Sequence, residues 1–137
     1  GDHICEAVKA VFSGRVRFNG EDDQIADGIT VHRVGGHSKG LQVVRVKTAT
    51  GWMCLASDAT HYYENFLTRT PFPIVVDVEE MLRGYDRVQA LTDRPEMVIP
   101  GHDPLVTELY PQHGTSGFVW RLDVGPVAAL PDGLTPS

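Results

Sequence analysis

The sequence predicts an α/β fold, and three observations carry that expectation. Short runs that alternate apolar with polar residues, or are wholly apolar, recur at 15–18, 29–34, 41–46, 52–56 and 96–99, as strands do. Two other stretches, 2–12 and 78–91, place their apolar residues at helical period. Three strand ends each carry one metal-competent side chain among small or turn-forming residues: His37 in Gly35-Gly36-His37-Ser38-Lys39-Gly40, Asp58 in Ser57-Asp58-Ala59, and His102 in Pro100-Gly101-His102-Asp103-Pro104. In open α/β architecture such ends gather on one edge of the sheet, where sites are built.

In chain order, Asp2 is expected to cap a helix through Ile4, Ala7, Val8, Val11 and Phe12, which Ser13-Gly14 ends. Arg15-Val16-Arg17-Phe18 alternates like a short strand before an Asn19-Gly20 turn, and the acidic run Glu21-Asp22-Asp23 reads as a solvated loop. Residues 29–34 form an alternating strand whose His32 faces solvent or a neighbour. After the glycine-flanked histidine comes an apolar hairpin, with arms 41–46 and 52–56 around a turn at 48–51. Residues 60–66, rich in aromatics, form a short helix or an irregular loop, broken by Pro71-Phe72-Pro73. Asp77 then caps a long helix, with Glu80 three residues on as the second half of a capping box. Its buried stripe is Val78, Met81, Leu82, Tyr85, Val88 and Leu91. Strand 96–99 stops at Pro100-Gly101. Asp103 at the N-cap and Pro104 at the first helical position open a helix through Leu105, Leu109 and Tyr110. Residues 111–137 form a loop-rich C-terminal segment, with one further short strand at 118–120 and a loose tail from Leu130.

With 137 residues, one domain is expected. A net charge of −6 and the absence of a basic stripe argue against nucleic acid or an anionic membrane as partner. No apolar run approaches the roughly 20 residues of a membrane span. The start, Gly1-Asp2-His3, lacks the basic-then-apolar pattern of a signal peptide. Cys5 and Cys54 have no CxxC partner, so two reduced thiols in a cytoplasmic protein are expected.

The aspartate carries the most chemical weight. A carboxylate at the end of the apolar run Met53-Cys54-Leu55-Ala56 is costly to bury unpaired, so a cation or several N–H donors must compensate. Imidazole and carboxylate are good ligands for zinc and its neighbours. Short-range zinc motifs are absent. Spacing alone leaves two accounts of 35–40 open: a tight turn that contains a histidine, and an imidazole presented to a metal.

Four phrases in order resemble the metallo-β-lactamase superfamily, and within it the N-acyl homoserine lactonase branch. They are Gly35-Gly36-His37-Ser38-Lys39-Gly40, Leu55-Ala56-Ser57-Asp58-Ala59, Tyr63-Glu64-Asn65-Phe66, and Val98-Ile99-Pro100-Gly101-His102-Asp103-Pro104. By position the resemblance implies that His37 binds a first zinc ion, that Asp58 bridges two, and that His102 binds the second. It implies an enzyme that hydrolyses the ester of a small lactone. A tyrosine that assists at the substrate carbonyl in the lactonases is replaced here by His61, with Tyr62 one residue later. Asp58, His61 and Tyr62 are thus the candidate catalytic residues, and His37, Asp58 and His102 the candidate metal ligands. His61 either donates a hydrogen bond to a developing oxyanion or is a surface helix residue. Tyr62, Tyr63, Phe66 and the Pro-Phe-Pro loop either wall an acyl pocket or pack the core. His3 and His113 read as surface residues.

The superfamily's HxHxDH segment, which supplies four metal ligands, has no counterpart in this sequence. The expected fold is therefore the C-terminal half of a metallo-β-lactamase αββα sandwich: one mixed sheet with helices on one face, and 1–137 as a single incomplete domain. The alternatives are another hydrolase of the superfamily, such as a thioesterase or phosphodiesterase relative, and a non-catalytic fragment without a complete metal site. The half-fold leaves an apolar sheet face open. The chain is accordingly expected to need the missing N-terminal half, or to form a homo-oligomer through that face. Sedimentation of the isolated chain should show self-association; a monodisperse monomer that unfolds cooperatively would refute this.

Overall fold

A computed structural model describes residues 1–115 and 117–134. Helix α1 (Asp2–Phe12) is followed by β1 (Asp22–Ala26), β2 (Ile29–Arg33), β3 (Gln42–Thr48) and β4 (Gly51–Ser57). Then come α2 (Tyr63–Leu67), α3 (Val78–Ala90), a 3-10 turn at Pro95–Met97, β5 (Val98–Pro100), α4 (Val106–Leu109) and a 3-10 turn at Leu122–Val124. The strands form one sheet in the order β1-β2-β3-β4-β5. Only the β4–β5 pair is parallel, so the sheet is mixed, as expected.

The pleat sorts the side chains. Val43, Cys54, Ala56 and Val98 close into one core with Met81, Tyr85 and Val88 of α3. Each large apolar side chain buried there stabilises by roughly 1.5–3 kcal/mol. The α3 stripe is narrower than expected at its start, where Val78 is half exposed. The other face carries a row from Val31 through Val44 and Leu55 to Ile99. The Leu122–Val124 turn covers one corner of it, beside Val46 and Met53, while Leu55 stays 37% exposed.

Several expectations are corrected. Residues 15–18 pair with no strand; Val16 and Phe18 are exposed, and alternation alone makes no ladder. The acidic run is no loop: Asp22 and Asp23 begin edge strand β1, where Asp22 meets His32 across the pair and Arg87 of α3. An edge tolerates charge that a central strand would not. Gly1, not Asp2, sits at the N-cap of α1, which buries none of its residues. Residues 95–97 tighten into a 3-10 turn before β5, because Pro95 favours a helical start. Helix α4 begins only at Val106, although Asp103 Oδ1 accepts the Leu105 N–H. Residues 118–120 contribute a single bridge, Gln112 to Trp120. Leu130 is buried in the core rather than loose. Residues 135–137, the end of the expected tail, lie outside the described residues.

The capping box is half made. Asp77 Oδ1 accepts the Glu80 N–H at 2.9 Å, as an N-cap should. The Glu80 carboxylate turns away instead. It accepts the Gly36 N–H at 3.2 Å and Arg33 at 2.6 Å. The Gly36 carbonyl in turn accepts the N–H groups of Val76 and Asp77. The glycine loop joins β2 to β3 and is clamped onto the start of α3. Gly36 has φ +82°, and a Cβ there would lie 2.6 Å from the Met81 Cα. A left-handed L-residue costs roughly 1–2 kcal/mol, and displacing packed backbone adds roughly 1–3 kcal/mol. Gly36→Ala is expected to lower unfolding stability by about 3 kcal/mol in a denaturant titration.

Candidate metal centre

Three loops meet at the end of the sheet. His37 comes from the β2–β3 connection, Asp58 and His61 from the segment after β4, and His102 from the segment after β5. Ser57 turns the chain out of β4 with φ +48°, a conformation uncommon outside glycine. Gly101 lies against it so closely that a Cβ would sit 2.8 Å from the Ser57 carbonyl oxygen. The Gly101 N–H donates to the Thr60 carbonyl and the His102 N–H to that of His61, which fastens the two loops together. Asp103 secures the next element, accepting the Tyr63 N–H at 2.8 Å at the start of α2.

The three candidate metal ligands converge, and His61, expected only as a catalytic or surface residue, joins them. His102 Nε2 lies 2.9 Å from Asp58 Oδ1, and His61 Nε2 lies 3.6 Å from the same oxygen. His37 Nε2 approaches the other oxygen, Oδ2, at 3.9 Å. The His37 Nδ1–H donates to the Ile74 carbonyl at 2.8 Å, which turns the Nε2 side of the ring toward the carboxylate. His61 is no surface residue. Its ring stacks on Phe72 with centroids 3.6 Å apart and stands 4.5 Å from the His102 ring. Burial first, and His102 second, hold its imidazole below the ordinary histidine value; Asp58 opposes this and His37 adds to it. Tyr62 is half exposed, its ring edge-on to His61 at 6.4 Å. Tyr63 and Phe66 are buried in the core.

Three imidazoles around one carboxylate form a donor set suited to a borderline cation such as zinc. Asp58, His61 and His102 each present a ligand atom within 4.8 Å of the others. His32, by contrast, faces Thr30 and Asp22, away from this cluster. Two parts of the site were not legible in the sequence. The Ile74 carbonyl that orients His37 has no side-chain signature. Glu80, which holds the loop, looks like an ordinary capping residue.

No protein-family model matches the chain, and no curated protein does. Solved metal-dependent hydrolases share its fold. A quorum-quenching N-acyl homoserine lactone lactonase is 26% identical, with a TM-score of 0.58 over 65% of this chain and 38% of its own. An N-acyl homoserine lactone hydrolase, solved with N-hexanoyl-L-homoserine at its catalytic metal centre, is 24% identical, with a TM-score of 0.59 over 67% of this chain and 37% of its own. AidC, a dizinc quorum-quenching lactonase, is 14% identical, with a TM-score of 0.57 over 87% of this chain and 40% of its own. The sheet and its helices thus form a partial metallo-β-lactamase-like α/β fold, and the likeness to the lactonases seen in four phrases recurs in three dimensions. The chain spans well under half the length of these neighbours.

The brace on the glycine loop has a pH signature. The Gly36 N–H, then Arg33, hold the Glu80 carboxyl below the ordinary glutamate value. Its stabilisation is therefore complete above that ordinary value and is lost as pH falls through the lower folded value. Glu80→Gln should melt below the wild type at pH 7, and thermal melts should converge as the solution is acidified below pH about 4.

Proposed function

We propose that this chain is one incomplete domain, residues 1–137, of a zinc-dependent hydrolase that opens the ester ring of N-acyl homoserine lactones or a related lactone. The missing N-terminal half of the fold would complete it, or a second copy packed on the Val31–Ile99 row. The observation that carries this reading is the two-sided use of Asp58. Its Oδ2 faces His37 while its Oδ1 faces His61 and His102, as a carboxylate bridging two ions must. His37 would serve the first ion and His102 the second. Bound there, a zinc pair would lower the pKa of water and polarise an ester carbonyl.

The chain's own residues would do the remaining work. Asp58 would hold both ions. Phe72 and Ile74 hold the rings of His61 and His37 in place. Tyr62, half exposed beside His61, would meet a substrate entering from solvent. The unpaired thiols, Cys5 exposed and Cys54 buried, fit a reducing, cytoplasmic setting. Among the described residues no helix is long and apolar enough to cross a membrane.

A second reading draws on His61, which stands among the ligands where the lactonases carry a tyrosine. That substitution favours a different scissile bond, such as a thioester or a phosphodiester, on the same scaffold. In the complete protein, Asp58→Ala should remove most of the bound metal and lower lactone hydrolysis by more than about 100-fold, beyond the loss expected from an outer-sphere partner. Retained activity with full metal content would overturn the assignment. A panel of lactones, thioesters and phosphodiesters would separate the two readings.

A further inference from the structure

The two sides of Asp58 are unequal. On the Oδ2 side, among the described residues, His37 is the one imidazole, 3.9 Å away. On the Oδ1 side two imidazole nitrogens converge, His102 Nε2 at 2.9 Å and His61 Nε2 at 3.6 Å. A zinc ion with bonds of about 2.0–2.1 Å in tetrahedral geometry separates its ligand atoms by about 3.3 Å. The two Oδ1 distances bracket that separation, and all three ligand atoms fall within 4.8 Å of one another.

We propose that the Oδ1 side is a self-sufficient site for one divalent transition-metal ion, ligated by Asp58 Oδ1, His61 Nε2 and His102 Nε2, with His61 as a ligand in its own right. The inference rests on the reading of this cluster as a metal centre and adds a stoichiometry to it. The chain alone takes one ion, not two and not none. The resemblance gives the His61 position a part at the substrate carbonyl rather than at a metal, so a ligand role for His61 departs from it. Three protein ligands leave the fourth position open, as in catalytic rather than structural zinc sites.

The surroundings suit the role. The His61 side chain is 17% exposed and lies flat on Phe72, so its ring is fixed before an ion arrives. The backbone bond from His102 to the His61 carbonyl ties the two ligand-bearing loops directly. Little backbone movement is left for binding, because Ser57 and Gly101 already hold those loops in contact, and the ion has only to displace the His102–Asp58 hydrogen bond. Two neutral imidazoles with one carboxylate are a combination that zinc hydrolases use.

The test is zinc chloride titration of the 137-residue chain by calorimetry, with cobalt(II) absorption reporting coordination geometry. The expected result is one equivalent bound, with the intense visible bands of a four-coordinate cobalt site. His61→Phe, which keeps an aromatic ring against Phe72, should weaken zinc by more than about 100-fold, exceeding the usual effect of an outer-sphere change. His37→Ala should still bind one equivalent. Circular dichroism of each variant establishes that it is folded; if His61→Phe is not, His61→Gln takes its place under the same criterion. Wild-type binding that survives the loss of the His61 imidazole overturns the inference and leaves the bridging-carboxylate reading intact. The inference also fails, and that reading again stands, if the isolated chain binds no zinc while the complete protein binds two ions. No metal in either form overturns both.

Discussion

The candidate metal centre hangs on how the start of α3 meets the glycine loop. The Gly36 carbonyl accepts two N–H groups from the segment entering α3, and the Glu80 carboxylate returns a bond to the Gly36 N–H while holding Arg33. A loop joining two antiparallel strands would ordinarily be a surface turn. Here it is packed so tightly that neither Gly35 nor Gly36 has room for a Cβ. His37 is the next residue. Its ring direction follows from that clamp and from the Ile74 carbonyl, which belongs to the same entering segment.

That segment also braces the other half of the centre. Phe72 stacks on His61, so one short stretch before α3 orients histidines from two different loops. The parallel pairing of β4 with β5 does the complementary work. It sets Ser57 beside Pro100, and the absence of a side chain on Gly101 allows the two strand ends to touch. Asp58 and His102 then face each other at hydrogen-bond distance without either belonging to regular structure. A site assembled this way is rigid in its frame and adjustable only in its side chains.

The periphery is of another character. Helix α1 buries none of its residues, with Ile4 and Phe12 largely open to solvent, and on the outer face of the sheet Leu55 stays 37% exposed. Apolar surface of this kind is left uncovered at a cost, and contiguous patches usually mark contact with another surface. The core beneath α3 lies on the opposite face.

Helix α3, the apolar hairpin of β3 and β4, the mixed α/β class, and the three strand-end stations His37, Asp58 and His102 were all legible in the sequence. Local periodicity, turn chemistry and residue type are enough for these, since each is written within a few neighbouring positions. That Asp22 and Asp23 lie in a strand was not legible, because an edge ladder forms through a partner that local charge cannot reveal. The same holds for three further outcomes: Arg15 to Phe18 form no strand, Glu80 braces a loop rather than closing a capping box, and His61 joins the cluster of His37, Asp58 and His102. Contacts between segments separated along the chain decided the last two. His61 and Phe72 stack across eleven positions, and Glu80 reaches Gly36 across forty-four. A side chain's role there follows from what the fold brings against it, which residue type alone does not specify.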